Sequence, residues 1–513
     1  MMSATDATTS QVERHKNDEE EDATNSNNIQ QLLSLASNSV TPPLTAASSL
    51  HLVTKLDLSD CNLSSLPSDL PTVLPQLSIL FLSNNHFTVF PSDVLRHCEQ
   101  LQMVAFRSNG MTTIPDDDET TTVSFPPRLR WLILTNNRIS HLPATMGTQC
   151  PLLQKCMLSG NQLTDLPVSL GQCEQLELLR LASNQLQTIP SEILSQCPKL
   201  AWLALGDNPC LPDVPQRAEE EEIISIPVTP DPLVHVLGTG AGGTTYQAQR
   251  LDTGDPVAVK VPPSSSKQNS STMTSDGTPA MEHAVHAYIS PSFTKEDDSG
   301  GICPLLGRRQ NGPGVVLPLL ENIRPLAGPP SLTSCTRDVY TTPLPVSSSS
   351  SLTTTTTTTA QAILTSILDV LYTLHTKLHV AHGDVYAHNI LVSTTAAAEE
   401  EEEDAMTTTT TPRSRHHRRR PLLTDWGAAF YYGPERMPWL ERIELRAVAV
   451  LAEELLSVVD DAVVPLAEQC RLPDATVEAV HVWWMQHTRL PNMAQQFTDS
   501  LGKNENDEGG VAE

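Results

Sequence analysis

Five polar residues in the C-terminal half of the chain could do chemistry together: Lys260 in VAVK, Glu282 in AMEHAVHAYI, Asp384 and Asn389 in HGDVYAHNILV, and Asp425 in DWG. Ahead of them runs HVLGTGAGG, in which Gly238, Gly240 and Gly243 keep the G-x-G-x-x-G spacing. A glycine-rich turn lets backbone amides come close to phosphate oxygens, a lysine neutralises such oxygens, and a carboxylate with a carboxamide suits a hard cation such as magnesium. A further carboxylate can take or orient a proton. These residue types, in this order, suit chemistry on a phosphate. The glycine spacing alone is a weak signal, because dinucleotide-binding folds share it.

The flanking sequence says which elements must hold these residues. HVLG predicts a strand before the glycines and TTYQAQRL a strand after them, where a dinucleotide fold would have a helix. VAVKV is a third strand, and AMEHAVHAYI a short helix with Glu282 near its start, where any helix favours an acid. GVVLPLLEN, residues 314–322, reads as a further strand in which Pro318 removes an amide. Residues 360–379 place Ile363, Ile367, Leu371, Leu374 and Leu378 on one face of a helix that leads into HGDVYAHN. Glu444 is placed at the start of the next large helix, ELRAVAVLAEELL.

The N-terminal half has a period of roughly 24 residues. Its units are LDLSDCNLSSLP, LSILFLSNNHFTVFP, LQMVAFRSNGMTTIP, LRWLILTNNRISHLP, LLQKCMLSGNQLTDLP, LELLRLASNQLQTIP and LAWLALGDNPC. Asn85, Asn109, Asn137, Asn161, Asn184 and Asn208 recur at one position, which Cys61 fills in the first unit. The pattern resembles the leucine-rich repeat, in which neighbours stack into a solenoid and each Asn satisfies backbone groups at the turn. The stretch between Asn109 and Asn137 is longer, so PDDDETTTVSFPP is expected to bulge out. If Leu80 and Leu82 point inward, alternation puts Ile79, Phe81, Met103, Trp131, Ile133, Met157, Leu178 and Trp202 on the concave face, with charge only at Lys55, Asp57, Lys155 and Arg180. A contiguous apolar patch of that kind marks an interface, here for a protein partner or substrate; the alternative is cover by a segment of this chain.

The C-terminal residues resemble the protein kinase-like superfamily, and with the repeats the chain resembles soluble leucine-rich-repeat protein kinases with a divergent HGDxYxHN loop. The resemblance implies an ATP- and Mg2+-dependent enzyme of Ser/Thr type. In it Gly238, Gly240 and Gly243 cover the phosphates, Lys260 neutralises two of them and is held by Glu282, Asp384 aligns the attacking hydroxyl, and Asn389 and Asp425 bind the metal. The sequence departs from the pattern in places. Gly383 replaces an Arg, Tyr386 stands where Ser/Thr kinases have Lys, and His388 stands where tyrosine kinases have Arg, so a cation near the γ-phosphate depends on protonated His388. From Asp425 to Glu444 there is no Ser or Thr; only Tyr431 and Tyr432 could be modified. Gly433-Pro434-Glu435 echoes the APE triplet, with Arg489 as its partner. HGD, Asn and DWG also resemble the aminoglycoside and choline kinases, which phosphorylate small molecules, and a weakly active or inactive kinase-like scaffold is the other alternative.

Composition bounds the rest. With 32 basic against 60 acidic residues and a net charge of −28, most of the surface repels nucleic acid and anionic lipid. No run of apolar residues is long enough for a membrane span or a secretory signal, so the expectation is a soluble, cytoplasmic chain with no membrane or nucleic-acid partner. RSRHHRRR at 413–420 reads as a nuclear address or, more simply, as a loop whose charges pair with the nearby EEEEED. Cys98, Cys150, Cys173 and Cys197 recur at one offset in the repeats and are expected as reduced, buried thiols. The fold class is a multidomain α/β plus α+β chain: a polar, disordered tail at 1–49, about seven repeats in a solenoid at 50–213, an acidic linker at 214–230, and a bilobal protein kinase-like domain at 231–500. Low-complexity insertions near 263–279, 345–359 and 394–420 interrupt that domain, the last two expected to loop out, and 501–513 is a disordered tail.

Overall fold

The computed structural model describes residues 33–34, 40–41, 47–116, 124–216, 224–240, 242–262, 273–293, 301–340, 352–394, 420–456 and 464–487. They fall into two units, Met1–Leu211 with Ser264–Pro279, and Pro212–Pro263 with Ala280–Glu513.

A repeat with a three-residue strand cannot close a core by itself, so its leucines are buried by stacking. In the first unit β2 (Lys55–Asp57), β3 (Ile79–Phe81), β4 (Met103–Ala105), β5 (Trp131–Ile133), β6 (Lys155–Met157), β7 (Leu178–Arg180) and β8 (Trp202–Ala204) run parallel and in register. Their central residues, Leu56, Leu80, Val104, Leu132, Cys156, Leu179 and Leu203, are all buried. Ahead of them β1 (Val40–Thr41) pairs antiparallel with β2, so part of the tail expected to be disordered caps the sheet edge.

The Asn side chains tie one repeat to the next. Asn85 Nδ2 donates to the carbonyls of Leu58 and Leu82 at 2.8 and 2.9 Å, and its Oδ1 accepts from the amides of Cys61 and Leu63 at 3.1 and 2.9 Å. Asn137, Asn161, Asn184 and Asn208 likewise donate to carbonyls of two successive repeats. The long segment after Asn109 differs from expectation. Its end returns to the core, with Phe125 fully buried and its ring 5.4 Å from Phe90, because an aromatic side chain gains more by burial than a loop gains by solvation. Residues 117–123 lie outside the described ones. All four recurrent cysteines are buried and free of disulfides, and burial pushes the thiols of Cys98 and Cys173 up to about 12.

The second unit opens on a sheet ordered β10-β12-β13-β15-β14-β9, with β11 added to β12. Its strands are β9 (Ser225–Ile226), β10 (Val228–Thr229), β11 (His235–Gly240), β12 (Gly243–Arg250), β13 (Pro256–Val261), β14 (Gly307–Arg309) and β15 (Val315–Pro318). Ile226, Val228, Ala248, Val257, Val259 and Val316 form its core. The stretch expected as a linker therefore supplies two strands: the alternation in IISIPVT turns Ile226 and Val228 inward, whatever the charge of the residues before it.

Helix α1 (Pro279–Ile289) carries Glu282 in its first turn. Helix α2 (Leu352–Thr373) continues through a wider turn at Leu374–Leu378 and stops at His379, whose φ is +55°. Its five spaced apolar residues are buried as their spacing requires. The helix begins within the Thr-rich run expected to loop out, since extending a nucleated helix adds one hydrogen bond for each residue fixed. Strands β16 (Ile323–Pro325), β18 (Ile390–Ser393) and β19 (Leu422–Leu423) form a small sheet, and β17 (Val380–Ala381) pairs with β20 (Phe430–Tyr431). Helix α3 (Pro438–Leu456) starts on a proline, which is well suited to a first helical position. Glu444 thus lies well inside the helix and not at its start. Helix α4 (Val464–Cys470) packs against α3.

Candidate active site

The topology of the second unit places residues 382–389 between β17 and β18, and Asp425 just after β19. β18 and β19 pair through Ile390 and Leu423, which fixes the two loops beside each other. Thr424 completes the link, its amide and hydroxyl both donating to the Asn389 carbonyl at 2.9 Å. On the opposite side, β13 presents Lys260 opposite Thr245 of β12.

Lys260 Nζ lies 2.5 Å from Glu282 Oε1 and 3.0 Å from Asp425 Oδ1. Burial by itself would push the ammonium down, but Asp425 and Glu282 together hold it above its ordinary range. Burial opposes the charge of Asp425 too, and the lysine overrides it, so the carboxylate stays ionised. Asn389 Nδ2 donates to both the carbonyl and the carboxylate of Asp384 at 3.0 Å, which leaves its Oδ1 on the other side of the amide. Lys260, Glu282 and Asp425 thus form one cluster and Asp384 and Asn389 another, joined through Thr424.

The glycines do not contribute equally. A side chain at Gly238 or Gly240 would meet open space, whereas one at Gly243 would run into the Val261 carbonyl at 2.2 Å. Gly242, outside the sequence motif, is the glycine nearest the charges: a Cβ there would sit 3.3 Å from Lys260 Nζ and 3.6 Å from Asp425 Oδ2.

Several supporting residues were not visible in the sequence. Glu444 Oε1 accepts the Gly383 amide at 2.5 Å, and its Oε2 lies 2.6 Å from His375 Nε2. Gly383 has φ +74°, a conformation in which the Arg expected at that place would be strained. His382, driven towards neutrality by burial, lies 3.2 Å from the Thr424 carbonyl and packs edge-on against Trp426, ring centroids 4.7 Å apart. Asp338 receives the His388 backbone amide at 3.0 Å and faces its Nδ1 at 2.7 Å. Burial would lower the His388 imidazole, but the Asp338 bond and charge raise it. Tyr386 is buried with its ring 4.9 Å from that of His388. Tyr432 is buried against His375 at 3.1 Å, so it is not the open hydroxyl the sequence suggested; Tyr431 is half-buried. Arg436 pairs with Glu441 at 3.0 Å and with Glu478 at 2.8 Å, while Glu435 is exposed. Arg489 and most of the basic run at 413–420 lie outside the described residues.

Two ligands from the protein, Asn389 Oδ1 and the Asp425 carboxylate, fit magnesium, which keeps waters and takes phosphate oxygens for its remaining positions. Among the described residues no group of three or more His, Cys, Asp or Glu could hold a metal ion, and no helix is long and apolar enough to cross a membrane.

In the first unit, Ile79, Phe81, Trp131, Ile133 and Met157 are half-buried, while Met103, Leu178 and Trp202 are buried. Lys155 is buried too, its ammonium 4.4 Å from the Trp131 ring centre, and Arg180 is 2% exposed. The apolar face is therefore less open than alternation alone suggested, with three of its eight apolar residues buried.

The family described as Leucine rich repeat matches residues 51–111 and 127–186. Residues 51–186 carry leucine-rich repeats. A solved leucine-rich-repeat protein of Leptospira interrogans is 29% identical over 32% of this chain and 39% of its own, with a TM-score of 0.27. The chain thus spans less than half the length of that protein. No curated protein matches the chain. Phe125 lies in the gap between the two matched ranges, and β8 (Trp202–Ala204), the last strand of the sheet, lies beyond the second of them.

Proposed function

We propose that the chain is an ATP- and magnesium-dependent protein kinase, Ser/Thr in type, whose leucine-rich repeats bind a protein partner or substrate. The observation that carries this reading is the Lys260 ammonium held between Glu282 and Asp425, with Asp384 and Asn389 bonded to each other in the loop beside them. Magnesium-bound ATP supplies the phosphoryl group. Lys260 with Gly238, Gly240 and Gly243 would hold its phosphates, Asn389 and Asp425 would ligate the cation, and the Asp384 carboxylate would orient the acceptor hydroxyl and take its proton as the oxygen bonds to the γ-phosphorus and ADP leaves. His388, which burial lowers but the Asp338 bond and charge raise above its ordinary value, would supply positive charge when protonated, where Tyr386 offers none. Use of ATP and reduced thiols both fit a cytoplasmic location.

The buried Tyr386, in the place of a lysine, favours a second reading as a nucleotide-binding scaffold with little transfer. Incubation of the purified chain with γ-labelled ATP and magnesium, beside Asp384→Asn, separates the two. Label on protein that disappears in the variant supports the kinase. Intact ATP binding without label supports the scaffold, and label on small alcohols or amines alone supports a small-molecule kinase.

A further inference from the structure

Each repeat carries a left-handed residue just before its ladder position: Asp60, Asn84, Ser108, Asn136, Gly160, Ser183 and Asp207, with φ between +53° and +70°. Short polar side chains tolerate this conformation, and six of these seven positions use one. Gly160 is the exception. A Cβ built there would lie 2.9 Å from Met273 Cγ, so the missing side chain makes room for a methionine from elsewhere in the unit.

Met273 belongs to a short segment that the solenoid unit holds at three points. Its side chain is 4% exposed, its carbonyl accepts Arg107 Nη2 at 2.8 Å, and Asp276 Oδ1 lies 2.9 Å from Arg180 Nε. Arg180 is itself buried, so this ion pair is screened little by solvent. The segment is also a preformed turn. Thr274 Oγ1 accepts the amides of Asp276 and Gly277 at 3.2 Å, and the Thr274 amide donates to the Gly277 carbonyl at 3.0 Å. A turn closed by its own hydrogen bonds loses little conformational freedom on docking.

We infer that the solenoid surface at Arg107, Gly160 and Arg180 is a recognition site for a protein turn bearing a methionine three residues before an aspartate, and that Met273–Asp276 is its resident ligand. Gly160 seats the methionine, Arg107 takes the carbonyl, and Arg180 selects the carboxylate. A partner presenting the same Met-x-x-Asp turn occupies this site by displacing the chain's own segment. The inference rests on the partner-binding half of the proposed function and does not depend on phosphate transfer.

A fluorescent peptide covering residues 272–279, TMTSDGTP, tests it on the full-length chain. The double variant Met273→Ala/Asp276→Ala, whose resident segment is weakened, is expected to bind the peptide. The unaltered chain is expected to bind it at least about tenfold more weakly, because the tethered copy competes at high effective concentration. A peptide carrying Asp276→Arg should bind neither chain. Equal binding by both chains, equal binding of the Asp276→Arg peptide, or no binding by the double variant would each overturn the proposal. Hydrogen exchange of residues 273–278 in the unaltered chain gives an independent reading: slow exchange agrees, and exchange at the rate of a free peptide overturns it. Failure here leaves the labelled-ATP result standing, and the reverse also holds.

Discussion

In the solenoid, Asn85, Asn137 and Asn161 occupy one offset in their repeats, and each bonds to backbone carbonyls of its own repeat and the one before. In the second unit Lys260 and Glu444 each occur once, and they bond to groups far along the chain, Lys260 to Asp425 and Glu444 to His375 and Gly383. Both sets are polar and buried or nearly so, yet they fail differently. A neutral amide satisfied by backbone groups is one rung among several, and its loss is local. A buried charge paired with distant groups leaves those groups to bear the full cost of desolvation when it is removed.

The largest effect should therefore come from Glu444→Ala, which strands the Gly383 amide and His375. A loss of about 3–5 kcal/mol is expected in urea unfolding of the second unit, with label transfer abolished. Burial works against the Glu444 charge, but His375 and Gly383 hold it below the ordinary glutamate value of 4.5. Its folded pKa is lowered, so its contribution is present above pH 4.5 and fades as pH falls through the folded value.

Lys260→Met comes next, with transfer expected to fall by roughly a hundredfold or more while the solenoid melts unchanged. A variant that keeps full transfer would break the site as drawn. Asn161→Ala should cost about 1–3 kcal/mol in the unfolding of the repeats, by removing the acceptor of the Ile139 amide and one of the two donors to each of the Leu134 and Leu158 carbonyls, which keep Asn137 and Asn184. Equal cost at Asn161 and at Lys260, each read in its own unit, would erase the contrast between shared and singular polar groups.

The smallest effect concerns His388. Its folded pKa is raised above 6.5, so the stability of the Asp338 pair is full below that value and lost as pH rises through the folded pKa. Transfer by the unaltered chain should decline over the same alkaline limb. His388→Gln, lower in rate throughout, should show no decline there, and a matching decline in that variant would remove His388 as the cation.

Periodic features were legible because every repeat states them again. The ladder Asn, the inward leucines, the recurrent cysteines and the strand phase all follow from one offset rule, and α2 with the wider turn after it was legible because the apolar spacing extends over about four turns. The linker misread at 214–230 had only the short alternation IISIPVT to set against a strongly acidic neighbour. The Thr-rich run was read by composition, yet it takes its backbone from the helix it precedes.

The candidate site divides along the same line. Lys260, Glu282, Asp384, Asn389 and Asp425 could be singled out from residue type and order, and the structure brings Lys260 to Glu282 and Asp425 and Asp384 to Asn389. Glu444, Asp338, His375 and Gly242 could not, because nothing local distinguishes a glutamate that receives a loop amide 61 residues away from one that faces water. The concave face shows the same limit. Alternation decides which way Leu178 and Trp202 point, but only the folded chain decides that they are buried, and that the space at Gly160 is filled by Met273. Sequence fixes direction and periodicity through backbone geometry; which distant group fills the space in front of a side chain is set by tertiary packing.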